Sequence, residues 1–312
     1  MRRAGAAACV AALLLTGACT DDPSTDETGG AAPGGASPSA SIYTLTPLPA
    51  PSQAPPSGTL VADLRQSSRD AAAGRFEVWI DNDTDDAITP TRISYADGRF
   101  RAPLPATRLR EIPSQSTRGF QIAQPDRPAC RGREAAAVTA ARVTVAYRTA
   151  EGERRRVTVP VSDEAEVAER YASSRCLELG VDRVATLSWA DEVPSSGEVG
   201  STSTLTLRVD PTGLPGHTLS IDSIRGTPIL NSADGDWEPA VTVDTDTAAF
   251  ALPLPVKPTR CDAHAFAESG GATAFVVNLH LDGEPGQVTV RMDPAGAAAA
   301  IAFARASCGD LT

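Results

Sequence analysis

Asp262 and His264 stand two residues apart in TRCDAHAFAE (259–268), the sharpest grouping of proton-transferring and ligating side chains in the 312-residue chain. A carboxylate and an imidazole at this spacing form either an acid–base pair or two arms of a metal site. Two ligands do not complete a metal site. The simpler expectation is that Asp262 caps a turn beside Cys261 and that His264 pairs with it. The run DNDTDD (81–86) places acids at alternate positions, a pattern that suits calcium. An EF-hand loop needs Gly at its sixth position and Glu at its twelfth. Asp86 and Arg92 stand there instead. The run therefore reads as a polar turn after a strand, with a calcium-stiffened loop as the alternative. The chain has three histidines, His217, His264 and His280. It contains no H-E-x-x-H, no G-x-S-x-G, no phosphate loop and no dinucleotide glycine pattern. Met292 is the one methionine beyond the first residue, too few for a copper site, and the cysteines are too far apart for zinc. The sequence thus assigns no catalytic residue, no metal ligand and no cofactor.

The elements that must carry these residues are mostly strands. RFEVWID (75–81), RVTVAYRT (142–149) and LTLRVD (205–210) alternate apolar and polar residues, the pattern of half-buried strands. Gly-, Asp- and Pro-rich turns separate them, as in ADGR (96–99) and LDGEPG (281–286). The pattern also repeats. EGERRRVTV (151–159) parallels DGEPGQVTV (282–290), and each Val-Thr-Val begins 27 residues after a cysteine, Cys130 or Cys261. GFQIAQPDRPAC parallels AFALPLPVKPTRC ahead of those cysteines, and FEVWID parallels LTLRVD further upstream. The offset stays near 130. Each copy then closes with an alanine-rich segment that reaches Cys176 or Cys308. Two copies with one spacing share one bonding pattern, so the bridges expected are Cys130–Cys176 and Cys261–Cys308. The rival pairing links the two copies. Where the second copy has Asp262 and His264 the first has Arg131 and Arg133, so any site there belongs to the second copy alone.

A helix is expected at each copy's end. DPAGAAAAIAFARAS (293–307) has Asp at the cap and Pro at the first turn. DEAEVAERYASS (163–174) has Asp163 and Glu166 in capping-box spacing. Short strands, about 120 residues per copy and an inner disulfide predict a mainly all-β fold of two tandem immunoglobulin-like sandwiches, each ending in a short helix. A small barrel is the alternative. The domains fall at 59–180 and 181–312. Trp79 and Phe120 are expected in the core.

The first 58 residues address a compartment. Arg2 and Arg3 precede Ala4–Leu15, an uncharged apolar run too short to span a bilayer. LTGAC (15–19) follows, and it resembles the lipobox of bacterial lipoproteins. That resemblance implies a signal peptide over 1–18, cleavage before Cys19, and diacylation of its sulfur. Two acyl chains hold a protein on a membrane where one does so only marginally. Residues 19–58, rich in Pro, Ser, Thr, Ala and Gly, read as a disordered tether reaching about 35 Å as a coil. TRCDAHAFAE in turn resembles an RCDxHAxAE segment of uncharacterised secreted or lipid-anchored actinobacterial proteins. That family supplies no activity.

Charge narrows the partners. Residues 59–180 carry 19 arginines against 18 acids, whereas 181–312 carry 7 basic residues against 17 acids. Net charge is −11, which argues against nucleic acid, whose phosphates need clustered cations. The one basic run, ERRR (153–156), reads as a solvated turn and strand edge. The expectation is a monomeric, lipid-anchored surface lipoprotein on the extracytoplasmic face of the cell membrane. It is a non-enzymatic binding or scaffold module for an envelope protein, a glycan or a small ligand. The alternative is an envelope enzyme or metal-dependent accessory factor using Asp262 and His264.

Overall fold

Phe76, Val78, Ile80 and Asn82 alternate along RFEVWIDND, and all four side chains are fully buried in β2 (Arg75–Asp83). This two-residue period organises the molecule. The computed structural model describes residues 56–137, 140–267 and 271–309. Residues 54–312 form one compact unit built on two hydrophobic cores. The expected signal peptide, Cys19 and most of the expected tether lie outside the described residues.

The first core is wrapped by β1 (Thr59–Arg65), the short α1 (Ser68–Ala72), β2, β3 (Thr89–Ala96), β4 (Leu104–Thr107) and β5 (Ser116–Ala123). A two-residue hairpin follows, β6 (Cys130–Arg131) with β7 (Glu134–Ala135). Then come β8 (Arg142–Arg148) and β9 (Arg154–Ser162). One sheet runs β1-β2-β5-β4 and the other β3-β8-β9. That is the strand order of a constant-type immunoglobulin sandwich. Two short pairings seal its edges: β3 with β4 at Ser94↔Pro105 and Tyr95↔Leu104, and β1 with β9, in parallel, at Ala62↔Val161 and Asp63↔Ser162. The sandwich is thereby closed into a barrel at these two short seams. Phe76, Tyr95 and Phe100 meet at its centre with ring centroids 5.9–6.1 Å apart.

The second core lies between two four-stranded sheets. The strands are β10 (Ala185–Trp189), β11 (Ser203–Pro211), β12 (Leu219–Arg225), β13 (Leu230–Asn231), β14 (Val241–Val243), β15 (Phe250–Pro258), β16 (Ala274–Leu281) and β17 (Glu284–Arg291). The sheets run β10-β11-β15-β13 and β14-β12-β16-β17. The five-residue α3 (Ala263–Ala267) sits between β15 and β16, and α4 (Pro294–Cys308) ends the chain's described part. The repeat read from sequence is a repeat of topology: β2 matches β11, β5 matches β15, and β9 matches β17. Both expected bridges are present, Cys130–Cys176 and Cys261–Cys308.

Two details differ from the sequence reading. The helix expected over 163–174 is longer, running as α2 from Val167 to Val184, and it passes directly into β10. The expected boundary at 180/181 therefore falls inside α2. Asp163 does cap this helix, accepting from the backbone N–H groups of Val167 (2.7 Å) and Ala168 (3.0 Å). Glu166 is the N-cap residue itself, at φ 52°, so it cannot complete a capping box. The early turns of α2 bury Val167, Ala168 and Tyr171 in the first core, and its last turns bury Val181 and Val184 in the second. The other correction is Trp79, which lies outside the core. It alternates with Val78 and Ile80 onto the outer face of β2, half-buried, beneath the Arg65 guanidinium at 4.7 Å. Its ring covers Gly119 on β5 so closely that a Cβ there would lie 2.8 Å from the indole. Phe120 is in the core as expected.

Candidate functional site

TRCDAHAFAE begins where β15 ends and is pinned from three sides. Thr259 donates its N–H to the carbonyl of Ile229 at 2.9 Å, Cys261 is bridged to α4, and Phe266 is buried with Arg305 5.8 Å above its ring. Asp262 accepts from the backbone N–H of Ala265 at 2.8 Å and takes a forked pair of bonds from Arg260, 3.0 and 3.1 Å. The Ala265 hydrogen bond, with help from Arg260, holds the carboxyl below its ordinary range. Asp262 is therefore a capping group at the start of α3. Three of its acceptor positions are taken by the backbone and Arg260. His264 is exposed on the same short helix.

Two acids of DNDTDD, Asp81 and Asp83, are also occupied separately. Asp81 accepts from the Thr117 hydroxyl at 3.1 Å, and Asp83 from the N–H of Ser57 at 2.9 Å. The bond from Ser57 keeps Asp83 below the usual carboxylate range. The residue that organises this loop is the amide between them. Asn82 is fully buried; its Nδ2 points to the carbonyls of Asp86 (2.8 Å), Ile112 and Pro113 (3.1 Å each), and its Oδ1 accepts from Thr84 at 2.7 Å. Among the described residues no group of three or more His, Cys, Asp or Glu side chains converges as a metal cage would require. Replacing Asn82 with Ala orphans these carbonyls and is expected to lower stability by about 2 to 4 kcal/mol. Denaturant unfolding of N82A measures this, and a loss under about 1 kcal/mol would contradict the role given to Asn82.

The carboxylate–imidazole pairs that the sequence did not reveal lie elsewhere in the second half. His280 on β16 bonds through Nδ1 to Asp222 at 2.7 Å, and His217 bonds through Nδ1 to Asp282 at 2.9 Å. Ser220 is the cross-strand neighbour of His280. A serine hydrolase needs the serine hydroxyl bonded to the imidazole's other nitrogen. The Ser220 hydroxyl instead contacts Thr242 at 3.2 Å, and no nucleophile among the described residues bonds to His280. These pairs span 58 and 65 residues, and only strand register brings them together.

No family model matches this chain, and no curated protein does. Among solved structures, the YadV chaperone is similar at 11% identity and a TM-score of 0.21, over 71% of this chain and 94% of that one. The calcium-binding domain CBD12 of CALX1.1 is similar at 13% identity and a TM-score of 0.18, over 71% and 76%. The BSP domain of a biofilm-associated protein is similar at 10% identity and a TM-score of 0.18, over 75% and 58%. The fold assignment rests on strand order and register rather than on these likenesses.

Proposed function

We propose that this chain is a non-enzymatic binding or scaffold module held by lipid on Cys19 at the extracytoplasmic face of a bacterial cell membrane. The observation that carries the reading is the pair of disulfides, one in each half at matching positions. Structural disulfides of this kind form and persist in oxidising compartments outside the cytoplasm. The apolar run and LTGAC supply the export route and the anchor. The acid–base groups support the non-enzymatic half of the reading. Asp262 is committed to a helix cap and to Arg260, and the His280–Asp222 pair has no bonded nucleophile among the described residues.

Acyl labelling tests the anchor. Cells fed an alkyne-tagged fatty acid should label the wild-type chain, which should partition into detergent. The variant Cys19→Ala should lose the label and pass into the aqueous phase. An unlabelled wild-type chain that washes freely into the medium would overturn the proposal.

A further inference from the structure

The run ERRR, a solvated edge by sequence, takes on a different character in the sheet. In β9, Arg154 and Arg156 point outward, whereas Arg155 between them turns to the other side and pairs with Glu153 at 2.9 Å. Register places these two arginines in rows with neighbours on β8 and β3: Arg154 opposite Arg148, and Arg156 opposite Ala146, which is opposite Arg92. The next row is Ser94, Thr144 and Thr158, with the two threonine hydroxyls 2.9 Å apart. Small side chains thus lie between large cationic ones. The result is a recess of about 250 Å³ flanked by Arg92 and Arg156, with Ser94, Ala96, Pro103, Thr144 and Ala146 along it.

Arg92, Arg148, Arg154 and Arg156 are all exposed, and among the described residues none has a carboxylate within 4.0 Å. Arg65, Arg75, Arg99, Arg175 and Arg260 each sit on an acid, whereas these four stand together in adjacent rows of one sheet. Four unpaired guanidinium groups on one sheet face, in a chain of net charge −11, form a local positive field. Their planar forks match carboxylate and phosphate oxygens in pairs. The face has no large apolar anchor among the described residues, where the large exposed hydrophobic residues are Val61 and Val199, both on other segments. Protein interfaces need buried aromatic or aliphatic anchors, and membrane-surface binding is strongest where apolar side chains insert beside the cations. Single-stranded nucleic acid needs aromatic platforms for its bases, and none of the outward residues of β3, β8 or β9 is aromatic. What fits a cation-rimmed recess of this size, lined by two hydroxyls and by small apolar groups, is a hydroxylated acid unit whose C–H faces can lie on Ala96, Pro103 and Ala146.

We infer that the outer face of β3-β8-β9 binds an acidic polysaccharide, with Arg92 and Arg156 gripping its acid groups and Ser94 and Thr144 meeting its hydroxyls. This names a ligand class for the surface-module reading and rests on it. The test uses the full chain in detergent and fluorescent polygalacturonate as probe. The wild type should bind it, less tightly as salt rises, and should ignore uncharged dextran. Arg92→Ser with Arg156→Ser should weaken binding about 10- to 100-fold with an unchanged unfolding midpoint. Arg118→Ser with Arg225→Ser makes the same charge change at exposed sites elsewhere and should leave binding intact. Four results overturn the inference: no binding, equal loss in both double variants, equally tight single-stranded DNA, or binding to phosphatidylglycerol vesicles in place of the polymer. Any of these would leave the lipid anchor standing, since acyl labelling of Cys19 judges that separately.

Discussion

Replacing Arg99 with methionine should cost about 3 to 5 kcal/mol of stability, the largest loss expected from a single substitution in the first half. Arg99 is 4% exposed. Its Nε donates to Asp97 Oδ1 at 2.9 Å, its Nη2 to Asp97 Oδ2, and its Nη1 to Glu169 on α2 at 3.0 Å. Asp163, the cap of α2, lies 3.9 Å from Nη2. Tyr95 adds a hydroxyl bond to Asp97 at 2.8 Å from the centre of the core. One guanidinium therefore ties the sheet to the helix. Removing it strands Asp97, whose side chain is fully buried, with only the Tyr95 hydroxyl and one backbone N–H. An isolated buried carboxylate is what makes breaking such a pair so much costlier than replacing it whole. The double variant Asp97→Asn with Arg99→Met should accordingly be more stable than Arg99→Met alone.

The same pair predicts a pH signature. Burial by itself would raise Asp97, but the bonds from the Arg99 side chain, its backbone N–H and Tyr95 outweigh it, and the carboxyl titrates below its ordinary value. A carboxyl depressed in the folded state stabilises above its unfolded pKa of about 3.9, and that contribution fades as pH falls through the folded value. In Arg99→Met burial is no longer opposed by the cation, so the folded pKa of Asp97 should rise above the unfolded one. The sign then reverses, and this variant should gain stability between pH 7 and pH 5. Urea midpoints at the two pH values read the difference. A variant that weakens on mild acidification would contradict this account of Asp97.

The sequence was most legible where a physical period reached the surface of the text. Two-residue alternation marked β2, β8 and β11, and the 27-residue spacing from cysteine to Val-Thr-Val marked equivalent strands and hence both bridges. The same alternation, followed one step further, places Trp79 with Glu77 on the outer face. Its size argued for the core, but its parity decided the matter. Contacts set by register left no local trace. The His280–Asp222 pair, the union of Arg92 with Arg156 and the grip of Arg99 on Glu169 cross 58, 64 and 70 residues of chain. Asp262 and His264 drew attention through proximity in sequence, yet proximity in sequence is also how a helix cap is made. The length of α2 was hidden because its later turns serve another core, so no single amphipathic stripe runs along it.

That shared helix governs the other large expected effect. Cys130–Cys176 closes a 46-residue loop and Cys261–Cys308 one of 47, and on the chain-entropy model each contributes about 4 kcal/mol. Equal loops do not imply equal consequences, because the two bridges hold different helices. Cys308 ends α4, which packs only on the second core, whereas Cys176 lies on α2 between the turns that serve the first core and those that serve the second. Leu177 reaches Gly286 on β17 so closely that a Cβ there would lie 2.7 Å from it, and Arg133 of the bridged hairpin's turn pairs with Glu284. Loosening α2 therefore removes packing from both halves. The three tryptophans report the halves separately, since Trp79 belongs to the first and Trp189 and Trp237 to the second. In Cys130→Ala with Cys176→Ala, fluorescence from single-tryptophan versions should show both transitions at lower denaturant. In Cys261→Ala with Cys308→Ala, the Trp189 transition should fall by about 4 kcal/mol while that of Trp79 moves far less. If Trp189 keeps its wild-type midpoint when the Cys130–Cys176 bridge is gone, α2 does not couple the two cores.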